Sequence, residues 1–228
     1  MPTLRAHKHE FIFVLVGGLG LASIAGYINT LLLSLGAPPV THLTGTISRL
    51  SSDMGEGNIE DALMVTGLVV SFVLGAVCSG VVIGSSTLHI GRRYGVAVLI
   101  ESLLLAAAAL SIDHSLLAGA MLTAAAAGLQ NAMAASYRSL IIRTTHLTGV
   151  LTDIGFQLGQ FIAGHRTVGW HFLLLGSILV AFISGGVLGA IVARDLGSAG
   201  LWYPSILLAL GGMGYFILRL LNRDREQH

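Results

Sequence analysis

Six apolar stretches, each long enough to cross a lipid bilayer, leave this chain few folds to choose from. They are Phe11–Leu35, Asp61–Gly84, Tyr94–Ile112, Leu116–Ser136, Val168–Ala193 and Leu201–Leu221, and a spanning helix needs roughly 20 mostly apolar residues. Lipid satisfies no backbone hydrogen bond, so a crossing segment is either a helix or part of a closed barrel. The stretches lack the period-two alternation of barrel strands, and helices follow. Composition points the same way. Charged residues make up 10% of the chain and the mean hydropathy is +0.83, whereas a soluble domain carries about 25% charged residues. So few charges cannot cover a water-facing surface of this size, and the bilayer is the expected solvent.

Charge distribution sets the expected orientation, because Lys and Arg gather in cytoplasmic connections. With the N-terminus inside, Arg5, Lys8, Arg92, Arg93, Arg138, Arg143, Arg166, Arg219, Arg223 and Arg225 all fall on the cytoplasmic side. Only Arg49 and Arg194 fall outside. Both termini are therefore expected in the cytoplasm. The first apolar run is too long for a signal-peptide core and no clean small-residue cleavage site follows it, so it reads as a retained helix. No dense basic run or aromatic-interleaved basic patch occurs, which argues against a nucleic-acid partner. The single cysteine, Cys78, has no partner for an intramolecular disulfide and reads as a packing residue.

Two long connections, Gly36–Glu60 outside and Tyr137–Thr167 inside, match each other. The first contains Thr41-His42-Leu43-Thr44-Gly45-Thr46-Ile47-Ser48, the second Thr145-His146-Leu147-Thr148-Gly149-Val150-Leu151-Thr152. Upstream, Gly26-Tyr27-Ile28-Asn29 corresponds to Gly128-Leu129-Gln130-Asn131, and downstream Phe72-Val73-Leu74-Gly75 corresponds to Phe182-Ile183-Ser184-Gly185. Tyr94 corresponds to Tyr203. The chain thus reads as two related halves, 1–112 and 113–228. Each holds three helices, an odd number, so the second half inserts upside-down relative to the first. The expected fold is an all-α membrane protein of six transmembrane helices in two inverted three-helix repeats. Leu43–Leu50 and Leu147–Ile162 are apolar at helix-like spacing, so the motif segments are expected to be interfacial helices or re-entrant.

The Gly-Tyr-Ile-Asn-Thr stretch, the Val40–Gly45 motif and the Gly128–Asn131 to Thr145–Gly149 block resemble the YoaK-like family, over essentially the whole chain. That group of small bacterial membrane proteins is defined as a domain of unknown function. The resemblance supports the six-helix reading, implies a bacterial inner membrane and carries no substrate with it.

The polar residues of the repeat are the candidates for chemistry. His42 and His146 titrate near neutral pH and can pass protons; alternatively each bridges backbone at a break between helices. No His-x3-His or Cys-rich spacing supports a metal site. Thr44 and Thr148 are expected to cap helix starts, where Gly45 and Gly149 permit close backbone approach. A helix N-terminus facing the interior would favour an anionic group. Asn29 and Asn131, with Gln130, either fix packing through interhelical bonds or line a solute path. Glu101 lies within the third helix, where an ionisable group is a functional candidate by default; alternatively it meets Arg92, Arg93 or Arg138 near the cytoplasmic end. Arg49 and Asp153 occupy the same repeat position, so they either pair across the halves or sit among lipid headgroups. The spacings Gly75–Ser79 and Gly185–Gly189 suit close helix packing, and Trp170, Trp202 and Tyr203 read as interfacial anchors.

Together these features lead to a secondary transporter of a small solute, with proton coupling through Glu101 or the histidines, no cofactor, and a homodimer as the expected assembly. A channel is the alternative. No Walker motif is present and no nucleophile sits at a characteristic spacing, so an ATPase or an intramembrane enzyme is not expected.

Overall fold

The computed structural model describes residues 3–84, 92–136, 145–165 and 169–225. Arg138, Arg143 and Arg166, which carry part of the charge bias, lie outside the described residues. Among the described residues every regular element is a helix. In order they are α1 (Thr3–Ser34), α2 (Leu43–Glu56), α3 (Ile59–Ile83), α4 (Arg92–Ser111), α5 (Leu116–Ala135), α6 (Leu147–Ile162), α7 (Gly169–Leu196) and α8 (Trp202–Arg225). A 3-10 turn, Gly197–Leu201, joins the last two. Every apolar stretch of the sequence is therefore helical. The two motif-bearing connections are helices as well, α2 reaching beyond Leu50 to Glu56.

Five helical stretches are long and apolar enough to cross a membrane: Leu15–Ser34, Ile59–Ile83, Arg93–Ser111, Leu116–Ala135 and Gly169–Ile217. The fifth, 49 residues long, runs through α7, the 3-10 turn and most of α8. The helices show their apolar side outward. Val73, Val77 and Val81 on α3 and Val180, Ile183, Val187 and Ile191 on α7 are all exposed. A water-soluble surface rarely carries such continuous apolar area, and lipid accommodates it.

Helix ends follow local chemistry. Gly57, at φ 77°, closes α2 by donating its N–H to the Met54 and Asp53 carbonyls, a left-handed geometry that glycine adopts without a Cβ clash. Glu60 and Asp61 stand in the first turn of α3, where the helix dipole favours negative charge. Ser115 caps α5, its hydroxyl accepting from the Ala118 N–H at 3.2 Å. At the far end of α3, Arg93 donates to the Ile83 carbonyl at 3.0 Å.

Inside, small residues decide which helices meet. A Cβ on Gly26 would collide with the Phe182 carbonyl oxygen, and one on Gly128 with that of Phe72. In the same way Gly75 abuts the Ala125 carbonyl, and Gly185 that of Ser23. So α1 lies backbone-to-backbone on α7, and α5 on α3. Apolar burial gives little drive between helices in lipid, and this contact distance is where dispersion and polar contacts act. Gly75 and Gly185 belong to the small-residue spacings of the sequence, and both pack as that spacing implies. Helix α4 lies along α5 and crosses α8. At that crossing Ser102 donates to the Ser205 carbonyl at 2.8 Å and Ser205 to the Ser102 carbonyl at 2.9 Å.

Candidate functional site

The two repeated motifs are tied to the helices before them by the same device. The Asn29 side-chain oxygen, in α1, accepts from the Thr41 N–H at 3.2 Å and from its hydroxyl at 2.9 Å. The Asn131 side-chain oxygen, in α5, accepts from the Thr145 hydroxyl. Asn29 stands five residues before the end of α1, about 7.5 Å at 1.5 Å per residue. The chain leaving α1 therefore doubles back, and α2 starts level with the interior of its neighbour. In the second half, Thr145 at the start of the motif is tied to α5 through Asn131. Val40 packs in one cluster with Ile112 and Leu201, beyond the end of α4. Met133, on the turn of α5 that carries Asn131, packs with Ile83 and Ala97, near the start of α4.

His42 and His146 are the N-cap residues of α2 and α6, and neither side chain makes a capping bond. The helix starts are thus not capped by Thr44 and Thr148, contrary to the sequence expectation. Those threonines are exposed in the first turns, and their carbonyls accept from Ser48 at 3.0 Å and Thr152 at 2.8 Å. The physical reason is register: each helix begins two residues earlier than a threonine cap requires. The imidazoles then part company. His42 is half-buried, its ring 5.6 Å from that of Phe182 on α7. Burial lowers its affinity for a proton below the usual histidine range. His146 is exposed and lies back over Gly149, where a Cβ would collide with the ring. Gly45 has open space at the same place.

Gln130 is buried and reaches from α5 to α1, donating to the Leu21 carbonyl at 2.6 Å. Glu101 is fully buried on α4, and neither carboxyl oxygen has a hydrogen-bond partner among the described residues. Arg93 does not meet it, being engaged with the Ile83 carbonyl. Arg49 and Asp153 are not brought together. Arg49 lies 3.8 Å from Asp53 on its own helix, a pair favoured by the single helical turn between them. Asp153 is exposed on α6.

Two partners escaped the sequence reading. Thr41 and Thr145 open the motif and satisfy the asparagines. The signal was available: each hydroxyl follows its asparagine by 12 or 14 residues in both halves. Phe182, which holds the His42 ring, was visible only as a repeat anchor.

Helices of membrane-crossing length, outward apolar faces and an interior of glycine and buried polar residues define a multi-pass membrane protein. The chain belongs to the family described as "Protein of unknown function (DUF1275)", which it matches over residues 17–214. It is also similar to the UPF0700 transmembrane protein RA0705 of Rhizobium meliloti (strain 1021). The identity is 32% over 114 residues, covering 50% of this chain and 49% of that protein. The match thus spans about half the length of the curated relative. No solved structure matches the chain.

Proposed function

We propose that the chain is a secondary transporter of a small solute, built from two oppositely oriented halves, 1–112 and 113–228, with its site where they meet. The observation that carries this reading is the doubled asparagine–threonine device, Asn29 with Thr41 and Asn131 with Thr145. Each instance ties the segment that opens a motif helix, at its N-cap histidine, to the preceding long helix.

The count of crossings supports it. Gly169–Ile217 is 49 residues, more than twice the roughly 20 that one crossing needs, and the 3-10 turn at Gly197–Leu201 divides it. Read as two crossings, it brings the total to six, three per half, with both termini cytoplasmic in an inner membrane. The packing supports it too, because the close approaches occur in matched pairs across the halves. Gly26 on Phe182 corresponds to Gly128 on Phe72, and Gly185 on Ser23 to Gly75 on Ala125. Inverted repeats with sites at their interface are a recurring plan of secondary transporters.

The halves also differ in state. Helix α5 lies along α4, whereas its counterpart α1 barely touches α8. His42 is packed and His146 is exposed. Alternating access requires unlike halves that exchange conformations. In such a cycle the α1–α8 seam closes as the α4–α5 seam opens.

A thermal-shift screen of the purified protein against a solute library selects candidates, and proteoliposome flux then tests them. Saturable counterflow is the expected result, reduced in His42→Ala and in His146→Ala while both variants stay folded in detergent. Ohmic, non-saturating current would make the protein a channel. Full activity in the double variant would remove the histidines from the site.

A further inference from the structure

We propose that Glu101 is the proton-carrying site of this protein, closed in the seam between α4 and α5 and opened when that seam parts. The proposal deepens the transporter reading and rests on it for the opening step alone.

Ala97, Glu101, Leu105 and Ala108 form one stripe of α4, each fully buried. Ala97 packs with Leu129 and Met133. Leu105, one turn on the other side of Glu101, packs with Ala126 and Ala127. The carboxyl between them therefore faces α5. Neither of its oxygens has a hydrogen-bond partner among the described residues. A polar group buried without a partner destabilises the fold, and a charge there does so far more. Packing alone does not account for it, since a leucine would fill the same space without that cost.

The surroundings select the ligand. A metal cation leaving water needs several oxygen ligands, roughly six for magnesium and six to eight for calcium. Here the flanking clusters are apolar apart from the cysteine and tyrosines at their edges, and α5 (Leu116–Ala135) contains no titratable residue. A single carboxyl in such walls can accept a proton and nothing larger. The titratable groups of the other packed elements are weak acids. Cys78 of α3 and Tyr94 of α4 adjoin the Ala97 cluster, Tyr27 of α1 adjoins the Leu105 cluster, and Tyr215 of α8 lies over Gly95. The described arginine nearest in sequence, Arg93, is turned to the end of α3. No fixed charge among these groups offers Glu101 a counter-ion, so proton uptake and release is the chemistry open to it.

Location gives the proton a route. Ser102, the next residue, makes the reciprocal bonds to Ser205 at the α4–α8 crossing. The carboxyl thus lies one residue from one of the contacts between the two halves. The α4–α5 seam that covers it corresponds to the loosely packed α1–α8 seam. Exchange of the two states would expose Glu101 and permit proton transfer between the carboxyl and water.

Infrared difference spectroscopy of the full chain in nanodiscs tests this without any solute. Besides the C=O bands of the other carboxyls, wild type should show one at the high-frequency edge of the carboxylic acid region, where an acid without a hydrogen bond absorbs, and this band should rise and fall over one pH transition. Glu101→Gln should lose that band with helix content unchanged, and Glu101→Asp should shift it. Sodium chloride in place of choline chloride should leave the band as it is. Persistence of that high-frequency band in Glu101→Gln, or its bleaching in wild type by sodium, would overturn the proposal. Solute flux needs no such band, so failure of the transport reading is separately visible as wild-type liposomes without counterflow.

Discussion

Asn29 and Thr41 make a closed exchange: one amide oxygen takes both the N–H and the hydroxyl of a residue at the start of the motif. Replacing Asn29 with alanine leaves two buried donors of Thr41 without this partner, at about 1–3 kcal/mol for each that stays unpaired. Thermal unfolding in detergent should register that loss. Ser34→Ala, which removes an exposed hydroxyl bonded within its own helix, should stay within about 0.5 kcal/mol of wild type. His42 gives a pH prediction. Burial lowers its proton affinity relative to the unfolded chain. Above the usual value of 6.5 both states are neutral and the residue contributes nothing. As pH falls through that value the unfolded chain takes the proton first, so the folded protein loses stability. Acid-induced lowering of the melting temperature should be smaller in His42→Gln than in wild type. The asparagines and histidines were legible in the sequence because they repeat. The threonines repeat as well, but their bonds to the asparagines depend on how the chain closes over a dozen residues, which leaves no periodic trace, and the two imidazoles occupy different surroundings despite identical motifs.

The elements were legible, since membrane-length apolar runs have one stable form, but polar helical extensions were not: α1 begins at Thr3, ahead of its apolar run, and α2 continues past Leu50 to Glu56. Hydropathy could not say which helices would touch. The answer lay in glycines whose role depends on a partner's backbone. Gly26→Ala and Gly128→Ala should each push a helix pair apart, destabilising by about 1–3 kcal/mol as overpacking does. Gly17 and Gly20 lie on α1 with open space around the Cβ position. Alanine at either should be neutral or stabilising by up to about 1 kcal/mol through helix propensity. Unfolding midpoints of the four variants, measured side by side, separate the two classes. If all four behaved alike, the backbone contacts of α1 with α7 and of α5 with α3 would not be what holds the bundle.

For the whole molecule, the membrane character and the family followed from composition and motif. The unlike state of the halves did not, because a repeat in sequence specifies equivalence and says nothing of which half is closed. The central claim is that equivalent motif segments approach the membrane from opposite faces. Single cysteines test it most directly, placed in a Cys78→Ala background at Ser52 on α2 and at His165 just past α6, both exposed. A membrane-impermeant maleimide applied to intact cells should label position 52 and reach position 165 only after permeabilisation. Labelling of both from one side would contradict the inverted arrangement and, with it, the placing of the site where two oppositely oriented halves meet.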